Sequence, residues 1–267
     1  SRVLQLAGGH YLVLRDLEEA RTVSRFIEDG EDPDALKVRF AKAISPGFDS
    51  TDLGFQWAGD LINGHVMLGY QNFKPGKVLR NWNVLLFTQR NYDFGGTLVG
   101  EQRLIAIINA TFINYLSAYF QLSYNPERWD KYLTRGGPLA LSPTYTWVDY
   151  GLETDRRKSL VASIGGYHLA SVAGTRQNRV YLDLQWKPSS NFTISLQPSY
   201  SRESGVAQWV TSVEDLLMTN TFGRRYIFAD IDQETLSCSI RLNWIFTPRL
   251  SLQGYIQPFI AVGDYRQ

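Results

Sequence analysis

The chain has few of the residues that build metal centres and disulfide frameworks. Its 267 residues include one cysteine, Cys238, and three widely separated histidines, His10, His65 and His168. One cysteine excludes a disulfide framework and a multi-cysteine metal site. No carboxylate or cysteine stands at ligand spacing from the histidines, so we expect no metal. The sequence has no phosphate-binding loop, and we expect no cofactor.

An excess of charge of one sign and a long apolar run are also missing. Lys and Arg number 27 against 26 Asp and Glu, a formal net charge of +1. A near-neutral chain offers no electrostatic footprint for nucleic acid, which we do not expect as a partner. No run approaches the ~18 apolar residues of a transmembrane helix. The chain starts at Ser1 without the features of a signal peptide, so an exported protein would have lost its signal or belong to a longer chain.

A strict alternation of apolar and polar residues is present instead, and it is clearest between Glu234 and Val262. Two strands are predicted there, joined by a tight turn at Thr247-Pro248-Arg249. Apolar and polar residues that alternate with a period of two, and so make one face wholly apolar, predict an antiparallel hairpin that buries one side. Cys238 falls on that apolar face, where it is expected to act as a small hydrophobe.

Strands with short connections are predicted along most of the chain, and no convincing helical period follows residue 45. About 20 residues per strand and connection gives ~12–14 strands in one domain over residues 1–267. Residues 1–44 are expected to hold early strands and an acidic loop. Asn63-Gly64 predicts a hairpin turn, and Arg202 to Arg225 is expected to be a long loop. The other predicted strands cover residues 65–71, 79–92, 98–124 (two strands folding near 113–114), 145–153, 159–172, 180–186 and 192–201.

Three observations favour lipid as the contact of the apolar faces. The alternation holds over about ten residues, enough to cross a bilayer at a tilt, whereas an ordinary strand has ~5–6 residues. Charges concentrate in presumed loops. Aromatic residues stand where strands meet short turns, as in an interfacial girdle. The girdle candidates are Trp186, Phe192, Trp244 and Phe246. The alternative is a soluble β-rich protein whose apolar faces pack together, such as a carbohydrate-binding or hydrolase-associated module.

The polar faces would then line the lumen of a transmembrane β-barrel. Either these groups satisfy one another and fill the barrel, or they line a pore that selects solutes by charge and size. Arg135 and Trp209 are candidates for outer loops, where Trp209 would stack on a sugar ring or anchor its loop. The lumen-lining candidates are Asp183, Gln185, Arg241, Asn243, Gln253 and Gln257.

Catalytic motifs are missing as well. The sequence contains no GxSxG, HExxH or phosphate-loop element. A lipid-modifying barrel enzyme needs a serine, a histidine and a carboxylate or amide near one rim. Ser163 and His168 lie on one predicted strand, but five residues apart they point to opposite faces. We therefore expect no catalytic residues and a non-enzymatic protein.

Four segments resemble a large, functionally uncharacterised bacterial family. They are SPGFDSTDLGF (45–55), TRGGP (134–138), TDRRK (154–158) and FTPRLSLQGYIQPFIAVGDY (246–265). Members of that family join an N-terminal module similar to family-9 carbohydrate-binding modules to a C-terminal outer-membrane β-barrel. The resemblance covers about Ser45 to Tyr265, and the last segment is the most specific.

The resemblance implies a barrel in a bacterial outer membrane, acting as a channel or as the membrane anchor of a surface glycan-handling protein. It implies the lipid bilayer as a partner and a glycan as a ligand. The chain departs from the family because it lacks the sugar-binding-like module and the further closing strands. Since a membrane sheet cannot leave an edge unpaired in lipid, further chain segments or subunits are expected to complete the barrel.

Overall fold

The computed structural model describes residues 2–6, 10–14, 42–44 and 59–266, and these residues form an all-β structure. The described part contains sixteen strands and one short 3-10 helix at Thr219–Thr221. Within it, no helix has the length and apolar character needed to cross a membrane. The predicted acidic loop at residues 28–33 and the 45–55 segment lie outside the described residues.

The strands vary widely in length. They are β1 (Arg2–Leu6), β2 (His10–Leu14), β3 (Lys42–Ile44), β4 (Leu61–Asn72), β5 (Leu79–Tyr92), β6 (Arg103–Phe112), β7 (Ser117–Asn125), β8 (Arg128–Asp130), β9 (Ala140–Ser142), β10 (Tyr145–Glu153), β11 (Leu160–Ser171), β12 (Arg176–Ser189), β13 (Phe192–Glu214), β14 (Arg224–Thr247), β15 (Leu250–Ile256) and β16 (Phe259–Arg266).

One large antiparallel sheet dominates the described residues. Its strand order is β15-β14-β13-β12-β11-β10-β7-β6-β5-β4-β3, and β16 pairs with β14 beyond β15. β1 pairs with β2, and β8 with β9, in two small separate sheets. Among the described strands no pairing joins β3 to β15 or β16, so this part of the sheet keeps two edges. The predicted all-β antiparallel class is confirmed.

The predicted hairpin at Glu234 to Val262 is confirmed. β14 turns into β15 with Thr247 opposite Leu250. The same register continues into β16, where Leu236 opposes Ile260. Pro258 stands between β15 and β16, and its carbonyl accepts a hydrogen bond from the Cys238 amide at 3.0 Å. Proline has no amide hydrogen to give to a further strand, which suits this outer position.

Strand boundaries elsewhere agree well with the alternation. The predicted strands at residues 79–92 and 145–153 coincide with β5 and β10. The 98–124 segment forms two strands, β6 and β7, and the Tyr115 amide donates to the Phe112 carbonyl at 2.9 Å in the turn between them. The fold near Ile113-Asn114 is therefore confirmed.

The predicted Asn63-Gly64 turn is wrong. Both residues lie inside β4, where Asn63 opposes Lys42. A two-residue Asn-Gly hairpin requires positive φ at both central residues, and neither residue has it. The dipeptide therefore continues an extended strand.

The prediction of a long loop from Arg202 to Arg225 is also wrong. β13 continues to Glu214 and β14 begins at Arg224, so the connection covers only residues 215–223. Irregularities in the register occur between Gly205 and Gln208 and again between Trp209 and Thr211. Such bulges insert extra residues and interrupt the period of two, which is why the alternation hides this pairing. Trp209 accordingly lies in β13 opposite Phe228 and is not an outer-loop residue.

The chain divides into two compact units. The first contains the described parts of Ser1–Tyr70 together with Leu85–Ile105 and Asn125–Pro143. The second contains Gln71–Val84, Ala106–Tyr124 and Thr144–Gln267. Five short connections lie along one border of the sheet in the second unit, because they join successive antiparallel strands at the same end. They cover residues 73–78, 113–116, 154–159, 190–191 and 248–249.

Candidate functional site: the two faces of the sheet

The second unit carries a continuous apolar face. The strand register places Leu184 opposite Leu196, Leu196 opposite Ile240 and Ile240 opposite Ile256. Ile164 in the neighbouring strand β11 is 58% exposed and Ile256 is 65% exposed. A soluble monomer rarely exposes a contiguous apolar patch of more than a few hundred Å². This face is therefore expected to be covered in the functional protein.

Four aromatic residues form an aromatic ladder on the apolar face next to the short connections. Trp186 near the end of β12 meets Phe192 at the start of β13 with ring centroids 6.1 Å apart. Phe192 opposes Trp244 in the register, 5.4 Å away and edge to face. Phe246 follows on the same side of β14, 4.6 Å from Trp244. The residues predicted as a girdle thus stand in a single row.

Polar side chains occupy the opposite face, and Arg241 stands in one of its rows. Gln185 opposes Ser195, Ser195 opposes Arg241, and Arg241 opposes Tyr255. The guanidinium carbon of Arg241 lies 4.8 Å from the centre of the Tyr255 ring, a cation–π contact. Arg241 is otherwise exposed, so its charge stays available to solutes on this face.

The other predicted lining residues fall on the same face. Asp183 accepts a hydrogen bond from the Gln197 amide at 2.7 Å. Asn243 opposes Gln253, one row nearer the short connections than Arg241. Gln257 accepts a hydrogen bond from the Tyr255 hydroxyl. The structure therefore brings all six predicted residues to one polar face but does not join them into a single network.

An open cavity of about 250 Å³ lies on the polar face beside Asp183. Glu153 and Arg156 pair at its edge, with the Arg156 Nη2 donating to Glu153 Oε2 at 2.8 Å. Two carboxylates and two cations line this cavity, which therefore presents both signs of charge to a solute. Its lining residues are Glu153, Arg156, Val161, Ser163, Asp183, Gln185 and Lys187. Sequence reasoning missed Glu153, Arg156 and Lys187 because they belong to turns and strand ends rather than to the alternating segments.

A tyrosine cluster fills the polar face further along the strands. The Tyr119 hydroxyl donates to Asp149 Oδ1 at 2.7 Å and lies 3.1 Å from the Tyr181 hydroxyl oxygen. The rings fit because Gly151 and Gly165 have no side chains beneath them. The glycine pair at 165 and 166 inside a predicted strand was the available signal, since a strand glycine often marks a close approach.

In the first unit, two connections fold together into a loop cap, which we define as residues 93–102 and 126–143. Val99 forms a bridge with Trp129, and the Gly100 amide donates to the Trp129 carbonyl at 2.9 Å. The fully buried Gln102 donates to the backbone carbonyls of Asn91 at 2.8 Å and Val99 at 3.1 Å. These bonds satisfy the polar groups that the cap removes from water.

Asp60 fastens the loop cap to the start of β4. Its carboxylate accepts a hydrogen bond from the Lys131 ammonium at 2.6 Å and another from the Phe94 amide at 3.0 Å. The Lys131 hydrogen bond is the main reason that the pKa of Asp60 lies below its ordinary value. Arg135, the other outer-loop candidate, lies within the cap between β8 and β9, with φ of 51°.

Ser163 and His168 do not form a catalytic pair. Ser163 lines the cavity on the polar face. His168 lies on the other face, where its ring stacks on Tyr150 with centroids 5.7 Å apart and its Nδ1 hydrogen-bonds Asn178 Oδ1 at 2.7 Å. Among the described residues, no group of three or more His, Cys, Asp or Glu side chains is placed to hold a metal ion.

Comparison with known proteins assigns the family. A model of the domain of unknown function DUF5916 matches residues 30–267. The chain belongs to this family. The match covers the whole large sheet of this DUF5916 chain, and the family description names no function. The predicted resemblance is confirmed as membership of a family of unknown function.

Two curated relatives match short parts of the DUF5916 chain. A 4-hydroxy-3-methylbut-2-enyl diphosphate reductase from Synechococcus sp. (strain WH7803) is 54% identical over 88 residues, 32% of this chain and 22% of the reductase. The protein of the same name from Thermosynechococcus vestitus (strain NIES-2133 / IAM M-273 / BP-1) is 54% identical over 41 residues, 15% of this chain and 10% of that protein. The chain thus spans less than a quarter of either relative, and these matches show no family. No solved structure matches the chain significantly.

Proposed function

We propose that this DUF5916 chain forms part of the wall of a bacterial outer-membrane β-barrel that conducts small solutes. The observation that carries the proposal is the exposed apolar face of the second unit. Its residues pair across strands β11 to β16, and side chains such as Leu236 and Ile260 are 57% and 68% exposed. Lipid is the contact that covers a broad apolar face of this kind without a second protein layer.

Strand length and alternation support a membrane-spanning sheet. A strand tilted by about 45° crosses the hydrocarbon core with ~9–11 residues. β6, β7 and β10 have 10, 9 and 9 residues, and β11 and β12 have 12 and 14. In lipid, backbone hydrogen bonds between strands must form a closed barrel, and barrels of antiparallel strands are the form found in outer membranes. The bacterial outer membrane is therefore the proposed location.

The proposed barrel requires further strands. Within the described residues, β3 forms a ladder only with β4, and the outer edge of β15 and β16 is unpaired. Each unsatisfied backbone group costs several kcal/mol in hydrocarbon. We therefore propose that further segments of the polypeptide or a second subunit supply the closing strands.

The polar face supports the conducting role. It would line the lumen with Arg241, the Asp183 carboxylate and the cavity between Glu153 and Lys187. Charged side chains at the wall of a pore set which solutes enter and leave it. Because Arg241 is exposed and its partner is an uncharged ring, its charge would act on passing ions.

The loop cap favours a second candidate, a closed barrel that serves as a membrane anchor. The cap buries Asn91 and Gln102 at 4% and 0% exposure, beside the loop end of β5. Packed loops plug the interior of some outer-membrane barrels. In this case the barrel would hold a surface glycan-handling module in the membrane, as the resemblance to the bacterial family implies.

Site-directed spin labels test the lipid contact. In a Cys238→Ser background, Leu196→Cys places a nitroxide on the apolar face, and Gln197→Cys places one on the polar face of the same strand. We expect the label at position 196 to collide with oxygen dissolved in lipid, and the label at 197 to collide with a water-soluble nickel complex. A protein that stays in the aqueous phase without detergent, with both labels shielded from oxygen, would contradict the proposal.

Planar bilayer recordings separate the two candidates. The channel predicts conductance from the membrane-inserted protein, and Arg241→Ala should shift its selectivity toward cations. Arg241→Lys keeps the positive charge and is the matched control. A correctly inserted protein that conducts no current would support the anchor instead. Unchanged selectivity in Arg241→Ala would remove this residue from the lumen.

A further inference from the structure

Cations concentrate on the border of the second unit that carries the short connections. These connections and the residues within three positions of them hold Arg80, seven further cations and two carboxylates, Glu153 and Asp155, although the whole chain has a net charge of only +1. We call the seven the basic border. They are Lys74, Lys77, Arg156, Arg157, Lys158, Lys187 and Arg249.

Contacts between neighbouring turns hold part of this border in place. Arg157 lies over the ring of Tyr115, with its guanidinium carbon 3.2 Å from the ring centre. Arg80 donates to the Tyr115 hydroxyl at 2.8 Å. The Ile113 amide donates to the Val78 carbonyl at 2.9 Å. Three successive connections are thus tied together along this border.

The cations remain available to a partner. Arg156 is 80% exposed and Arg157 59% exposed, even though each pairs with a nearby carboxylate. Lys74, Lys77 and Lys187 are exposed, and no ion pair of theirs occurs among the described residues. A group of solvated cations that outnumber the nearby carboxylates attracts an anionic surface.

The basic border lies directly beside the aromatic ladder. Arg249 stands in the turn just after Phe246, and Lys187 follows Trp186 in β12 with its side chain on the polar face. Aromatic rings and basic residues mark the boundary between hydrocarbon and headgroups in membrane proteins. Charges spread over several neighbouring connections at one end of the strands match the plane of a lipid surface better than the irregular outline of an acidic protein.

We propose that the basic border binds the phosphate groups of anionic phospholipids in one leaflet. This inference rests on the membrane location proposed above and adds a class of ligand to it. The phosphates would accept hydrogen bonds from exposed border side chains that do not line the polar-face cavity, such as Lys74, Lys77 and Arg249, while the acyl chains contact the apolar face. Each basic residue close to an anionic surface strengthens binding about fivefold at low ionic strength.

Quenching of tryptophan fluorescence by brominated lipids tests this inference on the full chain in proteoliposomes. Trp186 and Trp244 report contact with the acyl chains near the basic border. We expect brominated phosphatidylglycerol to compete severalfold better for these positions than brominated phosphatidylcholine. The preference should shrink at high salt, because exposed charges are screened.

Matched substitutions show whether the preference for phosphatidylglycerol depends on the basic border. Lys77→Gln with Arg249→Gln should remove most of the preference for phosphatidylglycerol, and neither residue lines the polar-face cavity. Arg176→Gln with Arg224→Gln removes the same number of exposed cations near the opposite ends of the strands and should leave the preference unchanged. An equal loss in both double variants would overturn the inference, because the preference would then follow only the net charge.

The remaining outcomes are distinct. Quenching by neither lipid would refute the membrane location itself. Equal quenching by both lipids would leave the membrane location intact and overturn the lipid preference, leaving an acidic protein as the partner for the basic border. Inorganic phosphate added at constant ionic strength should not displace phosphatidylglycerol; full displacement would assign the cations to free phosphate and overturn the lipid assignment.

Discussion

Tyr181 lies directly over Gly165 in the neighbouring strand. A Cβ atom at position 165 would stand 2.5 Å from the Tyr181 hydroxyl oxygen and 2.7 Å from the Tyr150 carbonyl oxygen. Gly151 has the same relation to the ring of Tyr119. The two glycines therefore create the space in which the tyrosine cluster meets Asp149.

Gly165→Ala should destabilise the sheet by about 1–3 kcal/mol, the usual cost of overpacking. The backbone carbonyl of Tyr150 cannot move away without disturbing the β10–β11 ladder. Gly64→Ala in β4 is the control, since a Cβ atom there meets nothing within 4 Å. Denaturant unfolding in the purification detergent measures both variants, and equal midpoints would contradict the packing described.

The hydrogen bonds of Tyr119 predict energetic coupling to Asp149. Tyr119→Phe leaves a half-buried carboxylate with fewer donors and should cost about 1–3 kcal/mol. The double variant Tyr119→Phe with Asp149→Asn should cost less than the sum of the single variants. Additive losses in unfolding free energy would show that the contact contributes nothing.

Phe192 is predicted to be the most important member of the aromatic ladder, because its ring contacts both Trp186 and Trp244. Phe192→Ala should lose about 0.5–1.5 kcal/mol for each aromatic pair in addition to the buried area. Phe73→Ala, in an exposed connection, is the control. Thermal unfolding of the two variants should differ by several degrees. Similar midpoints would argue against the ladder as a stabilising unit.

The loop cap should loosen in acid because of Asp60. Its pKa is lowered in the folded protein, so the ion pair with Lys131 stabilises the cap above the ordinary pKa of 3.8. This stabilisation is lost as the pH falls below 3.8 through the folded pKa. The partly exposed pair is worth about 1 kcal/mol or less.

The variant Asp60→Asn tests the charge of the Asp60 side chain while the backbone conformation at position 60 is kept. Asn tolerates the positive φ of 51° at position 60, so only the charge is removed. Hydrogen exchange of the Val99 and Gly100 amides should be faster in the variant at pH 7 and should match wild type once the pH has fallen below the folded pKa of Asp60. An unchanged exchange rate at pH 7 would contradict a role for Asp60 in fastening the cap.

The alternation predicted strands accurately where each face has one chemical character. β5 and β10 match their predicted limits, and the hairpin around Pro248 has the expected turn. The pattern failed between Arg202 and Arg225, because two bulges shift the side chains out of period. It also misassigned Asn63-Gly64, since a two-residue turn signal does not decide whether the backbone adopts positive φ.

The residues of the candidate site also fall into two groups. For one group the sequence predicts the face of the sheet, and for the other only the structure shows the contacts. A period of two assigns Arg241, Asp183 and the ladder aromatics to their faces, because side chains on a strand alternate whatever the pairing. The pattern within one strand cannot specify which strands are neighbours. The sequence therefore could not show that Tyr119 meets Asp149, 30 residues later, or that Asp60 meets Lys131.

The sequence by itself determined the β class, the division of residues between an apolar and a polar face, and the placement of aromatic residues beside short turns. These properties follow from local alternation and turn chemistry. Only the tertiary structure decided the row of aromatic rings, the loop cap over Gln102 and the basic border along the short connections. Each depends on strand order and register, which bring together residues that are far apart in the chain.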